Sequence, residues 1–444
     1  MPIKKDLRSF PSYSIVKKQL TNNLNQNINN KKLVKSNNYL KTYLFLLTTF
    51  FALVGSTNYL INPHKVFNSR NIFALKNQTF NITNWTSFSR YHKANHLNTG
   101  KYDTLFLGNS RVFGGLDPRN SSLSQHSVYN AGLPHANIYE IEKIFNYARS
   151  RNKLDKVIIG LDLGQFSEKR DVSGDFDRSL FAGKIPYFVS YYSNLFSITH
   201  FFDSLEIIQH NFKNEIAQNS EPQIVDGFNI RQSNYQQKKP QKQFINYARS
   251  FTSNENYLDF NYTQERINIL RKIITECRQE EIEIQLFISP VHAWQLEFME
   301  ASKIFSLFES WKKDLVDLIA EDALKNADKS PIFLWDFSGY NIITTEPVPS
   351  NSKTQMQWFN DPSHYKKEVG DIVLNIIAKN GQQRSESDRY SMYQAQGFGK
   401  LINQANIETH LLEIRQQQKI YQNNHAKDIQ IIQEIAAQNE TRSR

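Results

Sequence analysis

The sequence predicts an α/β domain behind one N-terminal transmembrane helix. The domain is a three-layer αβα sandwich built on a mainly parallel sheet. Three observations carry this. From residue 103 onward, short apolar runs alternate with segments of helical period. The runs are apolar throughout, as strands covered on both faces are. Residues 42–63 contain no charged side chain.

The core of that uncharged run, "YLFLLTTFFALVGSTNYLI", would span about 28 Å as a helix, close to the hydrocarbon thickness of a bilayer. Residues 1–41 precede it and carry nine Lys and Arg against one acid, Asp6. A cleaved signal has a shorter charged region, so the segment reads as an uncleaved anchor with its basic arm in the cytoplasm. The rest of the chain then lies outside, on the inner membrane of a bacterial cell. Beyond residue 41 the charges nearly balance, 44 basic against 42 acidic. A nucleic-acid surface concentrates charge on the folded domain, so nucleic acid is not an expected partner. A second uncharged run, residues 185–202, holds a proline and five Ser, Thr or Asn residues. It reads as a cap or a surface-seeking helix, not as a second span.

Residues 64–100 are rich in Asn, Thr and Ser and read as a stem. The sandwich follows over 101–380. "TLFLG", "SVYNAGLP", "KVIIGLDL", "IEIQLFISP" and "PIFLWDF" are its strands. "IYEIEKIFNYARSR" and "YTQERINILRKIITECRQE" are amphipathic helices. The lone cysteine, Cys277, falls in the apolar pattern of the second and is expected to be buried. An insertion spans about 170–260. Its part from 206 to 250 is dense in Asn, Gln and Lys and is expected to be mobile. Residues 381–444 are a polar tail, helical or disordered.

Two stretches carry chemistry. "DTLFLGNSRVFGG" sets Ser110 on a turn after a strand, and "FNDPSHY" sets Asp361 three residues before His364. Asp361 suits a helix cap, with Pro362 at the first helical position. A nucleophilic serine needs an imidazole to take its proton and an acceptor to orient that imidazole. His364 and Asp361 offer both. In a parallel sheet the loops that hold these residues share the carboxyl edge. His292 and Trp294 also follow a strand on that edge and are candidate sugar contacts, and Arg111 is a candidate for an acidic substrate. No Cys or His cluster has metal-ligand spacing and no phosphate loop occurs, so neither a metal nor a cofactor is expected.

The order of these motifs resembles the SGNH (GDSL-type) hydrolases and their acyltransferase relatives. Gly108-Asn109-Ser110-Arg111 is similar to the block that holds the serine, Asn130-Ala131-Gly132 to the second block, and Asp361-Pro362-Ser363-His364 to the final Asp-x-x-His. The anchored form resembles extracytoplasmic proteins that acetylate surface polysaccharides, although the Asp-x-His of the alginate type is missing. The resemblance implies Ser110, His364 and Asp361 as catalytic residues and an oxyanion site near Gly132, His135 and Asn130. Two positions depart from it. His135 stands where the second block has its last glycine. Asp162 stands where the third block supplies an asparagine, and a carboxylate there would oppose an oxyanion or serve the substrate instead. The implied function is serine-dependent acyl transfer on a surface polysaccharide or other acylated glycan, as an O-acetyltransferase or esterase. A membrane acyl-donor protein is a further implied partner. The rival reading is a non-catalytic assembly or glycan-binding protein of a polysaccharide export or modification system.

Overall fold

The computed structural model describes residues 12–63, 66–67, 85–212, 224–233, 239–253, 260–350, 354–379 and 391–440. Most of residues 64–84 of the 64–100 stem, much of the 213–238 stretch and residues 381–390 lie outside these.

The chain is an α/β protein with a six-stranded, mostly parallel sheet. Its first strands are β1 (Thr104–Leu107), β2 (Val128–Asn130) and β3 (Lys156–Leu161). A separate small hairpin follows, β4 (Ile224–Val225) with β5 (Phe228–Asn229). The sheet then resumes with β6 (Glu283–Ile288), β7 (Leu334–Asp336) and β8 (Lys400–Ile402). The order is β2-β1-β3-β6-β7-β8, parallel up to β7 and antiparallel for β8. Leu105, Phe106 and Leu107 are all fully buried, as are Val157 and Ile159. Successive side chains point to opposite faces, so this pattern requires cover on both. Each such side chain contributes about 1.5–3 kcal/mol by leaving water.

The helices start with α1 (Ser12–Ile61) and α2 (Trp85–Thr99). Among the described residues α1 alone is long and apolar enough to cross a membrane. Next come α3 (Ser110–Gly115), α4 (Ile138–Arg149), α5 (Tyr187–Leu195), α6 (Ile198–Phe212), α7 (Ile230–Ser233) and α8 (Pro240–Ser253). Asn137 and Glu140 form a capping box at the start of α4. In α9 (Gln264–Gln279), Ile267, Leu270, Ile273, Ile274 and Cys277 face inward at three- and four-residue spacing. Burial pushes the Cys277 thiol up to about 12. The series ends with α10 (Ala293–Ala301), α11 (Phe305–Lys325), α12 (Lys367–Ile377), α13 (Ser391–Ala395), α14 (Ile407–Asn424) and α15 (Ala426–Glu440).

Three regions differ from expectation. The sheet-bearing unit does not end at 380, because β8 pairs with β7 and α14 and α15 bury Leu411, Ile414, Ile432 and Ile435. A buried cluster ties this tail to the sheet. Asp336 accepts from Lys312 Nζ at 2.6 Å and meets His410 Nε2 at 2.9 Å, while Ser338 donates to its other oxygen. The stem end is not a spacer either. From α2, Arg90 pairs with Glu140 and Asp175, and Lys93 is fully buried. The described parts of the insertion are ordered elements, and α7 touches the candidate site.

The carboxyl edge is where the topology collects the site. β1 leads to Gly108–Ser110, β2 to 131–135, β3 to Asp162 and β6 to Ser289. The loop between β7 and α12 brings in residues 360–364.

Candidate active site

Ser110 owes its position to the turn before it. Gly108 has φ +153°, and a Cβ there would lie 2.4 Å from Val112 Cγ2 and 3.0 Å from the Gly160 carbonyl oxygen. Only glycine lets the chain leave β1 this close to β3. The Asn109 side chain then accepts from the Arg111 amide at 2.9 Å and starts α3. This presents Ser110 Oγ to His364 Nε2 at 2.8 Å.

The other half of the relay is not the helix start that the sequence suggests. Residues 361–364 form a turn, and α12 begins only at Lys367. Pro362 suits such a turn as well as a helix N-terminus. Asp361 Oδ1 accepts from the amides of Ser363 and His364 at 2.8 and 3.0 Å. The same carboxylate holds His364 Nδ1, 2.8 Å from Oδ2. A carboxylate only accepts, so Nδ1 carries the proton and Nε2 is left to accept from the serine hydroxyl. Burial alone would raise the Asp361 carboxyl. The His364 ring and the two amides outweigh it and hold the group below the ordinary carboxylate value.

Asp162 does not act as an exposed charge beside this relay. Its carboxylate is buried in ion contact with Arg111 Nη1 and accepts from Ser289 Oγ at 3.2 Å. Arg111 in turn donates to the Ser363 carbonyl and hydroxyl, both at 2.8 Å. The pair therefore braces α3, the end of β3 and the 361–364 turn together. Arg111 and Asp162 line the pocket, but their charges answer each other.

The second block is also internal. Asn130 Nδ2 donates to the Val112 and Leu116 carbonyls at 2.8 Å each, and Oδ1 accepts from the Gly132 amide at 2.9 Å. A Cβ on Gly132 would fall 2.7 Å from the Phe113 nitrogen, so the glycine permits a close backbone crossing. Lys93 Nζ bonds the carbonyls of Asn130, Gly132 and Gly227 from behind. Asn130 and Gly132 thus have no donor left for an oxyanion. His135 differs. It has φ +56° and lines the pocket, and among the described residues its amide and that of Ser110 make no hydrogen bond. Desolvation, with Arg170 and His364 nearby, keeps the His135 imidazole below its ordinary value.

Ser110 and His364 open into a cavity of about 160 Å³. Its polar lining includes His135, Arg170 and Ser363. Its wall is apolar, with Phe251, Phe260, Val291, Met299, Ile304 and Phe308. His292 and Trp294 are not part of it. Both are fully buried. His292 donates from Nε2 to the Glu346 carbonyl at 2.7 Å and accepts the Trp294 amide at Nδ1, and burial pushes its imidazole down to about 4. Trp294 Nε1 donates to Asp428. Their neighbours Val291 and Gln295 reach the pocket in their place.

Three site residues escape a reading of the sequence. Gln232 of α7 donates to the Ser110 carbonyl at 3.2 Å and accepts from Asn360 at 2.6 Å. Gln295 is buried in the pocket wall with its Oε1 unpaired. Arg170 lines the pocket half-buried, and no carboxylate among the described residues pairs with it. None belongs to a motif, and two lie in the insertion. Among the described residues no group of three His, Cys, Asp or Glu side chains could hold a metal ion. Comparison with protein-family models, with curated proteins and with solved structures finds no match for this chain.

Proposed function

We propose that the chain is an SGNH-like serine acyl-transfer enzyme, anchored by α1 and working outside the cytoplasmic membrane. The observation that carries this is the unbroken relay from Ser110 Oγ through His364 to Asp361, open to a pocket. The parallel sheet and the double-sided burial of its strands support a three-layer sandwich of the SGNH kind. In the proposed reaction Ser110 Oγ attacks an ester carbonyl and its proton passes to His364 Nε2. Asp361 stabilises the imidazolium that results. The amides of Ser110 and His135 receive the oxyanion, since Gly132 and Asn130 are engaged. The alkoxide leaves with the proton from His364, and the acyl-serine passes its acyl group to water or to a sugar hydroxyl.

The Arg111–Asp162 pair removes the strongest objection, because a neutralised carboxylate does not oppose the oxyanion. Arg170 supports an anionic glycan as the second substrate, since a guanidinium lining the pocket can meet a carboxylate or phosphate in bidentate fashion. Labelling with a fluorophosphonate tests the nucleophile. Covalent capture at Ser110, lost in Ser110→Ala, is the expected result. A folded protein that leaves the reagent untouched would favour the non-catalytic glycan-binding reading. Arg170→Ala should raise KM for an acidic acetylated polysaccharide and leave that for a neutral acetyl ester unchanged. Equal effects on both would remove Arg170 from substrate recognition.

A further inference from the structure

α5 and α6 form a hairpin whose turn is bound to the anchor helix. Asn58 of α1 is fully buried. Its Nδ2 donates to the carbonyls of Leu195 and Ser197, at 2.9 Å each, and stands 3.4 Å from that of Asn194. Ser204 of α6 donates to its Oδ1. One turn along α1, a Cβ on Gly55 would sit 3.1 Å from the Phe196 ring, and Phe51 meets that ring edge-on at 5.6 Å. Phe51 is ten residues from Ile61 and Asn58 is three. At helical rise the hairpin turn therefore meets α1 between about 15 and 5 Å from the helix end. With a hydrocarbon core of about 30 Å, that interval falls in one leaflet.

Most large exposed side chains of the hairpin are apolar, with exposed Ser193 and Thr199 and the half-buried acids Asp203 and Glu206 among them. Phe188, Tyr192 and Phe196 repeat every four residues along α5 and are exposed, Phe188 by 63%. Ile198, Phe202, Leu205 and Phe212 are exposed on α6. From 185 to 202 there is no Asp, Glu, Lys or Arg. This surface continues the exposed apolar surface of α1, which runs from Tyr43 to Leu53. Aqueous exposure of seven large apolar side chains in one hairpin is unfavourable and marks an interaction surface. A hairpin turn at membrane depth also needs protein partners for its backbone carbonyls. Asn58 supplies them.

We propose that the α5–α6 hairpin is a second membrane contact, immersed in the leaflet that surrounds the C-terminal half of α1. The occupant of its surface is lipid. This rests on the reading of α1 as a membrane anchor. Two points of attachment fix the tilt of the domain, where a lone helix would let it swivel. The hairpin follows β3 in the chain, with residues 162–186 between them.

The test uses the full-length chain with Cys277→Ala, reconstituted in phosphatidylcholine–phosphatidylglycerol vesicles. Single cysteines at Phe188, Phe202, Leu47 and Leu324 carry an environment-sensitive fluorophore. Lipids with a nitroxide on the acyl chain are the quencher. Leu47 reports the anchor, and Leu324, exposed on α11, reports the aqueous domain. The expected result is loss of fluorescence at 188 and 202 comparable to that at 47, with none at 324. Quenching at 47 alone overturns the hairpin contact and leaves the anchor standing. A blue-shifted but unquenched signal at 188 and 202 overturns it in favour of a protein occupant. Absence of quenching at all four positions overturns the anchor reading as well.

Discussion

Two of the Asp–His pairs among the described residues have similar geometry and opposite character. His364 Nδ1 lies 2.8 Å from Asp361, and His410 Nε2 lies 2.9 Å from Asp336. The first pair is reachable, with side chains 23% and 28% exposed, while the second is 8% and 0% exposed. The far nitrogen of His364 faces a serine hydroxyl and a cavity. Asp336 instead has Lys312 as a partner cation and Ser338 as a donor, so its charge is spent inside the fold. An Asp–His contact by itself is therefore not a site. Access and a third group that can react distinguish a pair placed for the proposed chemistry from one that joins two elements.

The sharpest way to break this contrast is to remove the third group. Ser110→Ala should lower ester turnover by about a thousandfold or more, on the scale of losing a nucleophile, and leave the thermal midpoint unchanged. His364→Ala should act similarly on fluorophosphonate labelling. His410→Ala should leave labelling per folded molecule intact. If His410→Ala abolished labelling in a folded protein, the two pairs would not have the separate roles assigned here.

Stability should respond in the opposite sense. Asp336→Asn leaves Lys312 as a buried charge without its carboxylate, and breaking a buried pair costs about 3–5 kcal/mol. Denaturant or thermal unfolding of the full chain should register this loss, with labelling of the folded fraction preserved. Removal of residues beyond 390 should be at least as damaging, because it takes away β8 and His410 together. An Asp336→Asn protein of unchanged midpoint would mean that the cluster contributes nothing to the fold.

The same contrast explains what could be read from the chain. The five parallel strands were legible because each is a short, mostly buried apolar run, and the Ser110, Asp361 and His364 grouping was legible because these residues sit in compact motifs. The physical form of the 361–364 turn was not, since an Asp-Pro pair begins turns and helices equally well. The fate of Asp162 was hidden too, because its partner Arg111 lies 51 positions away in sequence. β8 is three residues long at the sheet edge within a polar, Gln-rich stretch, too short for periodicity to reveal. His292 and Trp294 failed as site candidates for a related reason. Following a strand on the active edge locates a backbone but not a side chain, and here the side chains turn inward while Val291 and Gln295 face the pocket.

Asp162→Asn gives a smaller effect and tests the boundary between the two kinds of pair. Asp162 is buried like Asp336 but lies beside the reactive centre. If its role is to hold Arg111, the amide weakens the brace on the 361–364 turn, and turnover stays flat or falls by up to about a hundredfold, the scale of a misplaced group. A rise in turnover would show that the natural carboxylate opposes the oxyanion despite Arg111.

The smallest expected difference is in pH dependence. Burial would raise the Asp336 carboxyl, but Lys312 and His410 hold it far below the ordinary range. A carboxyl with a depressed folded pKa gives stability that is fully present above its unfolded value, near 3.9, and is lost as pH falls below it. In that window the unfolded chain takes up a proton that the folded chain refuses, at about 1.4 kcal/mol per pH unit. Asp361 is depressed in the same direction, but its side chain is more than a quarter exposed, so its share is smaller. Stability measured by denaturant between pH 5 and pH 3 should therefore fall less steeply in Asp336→Asn than in the native sequence. The slope for Asp361→Asn should lie between the two. Parallel slopes for all three proteins would mean that Asp336 takes up its proton alike in the folded and unfolded chains, and that Lys312 and His410 do not hold its carboxyl down.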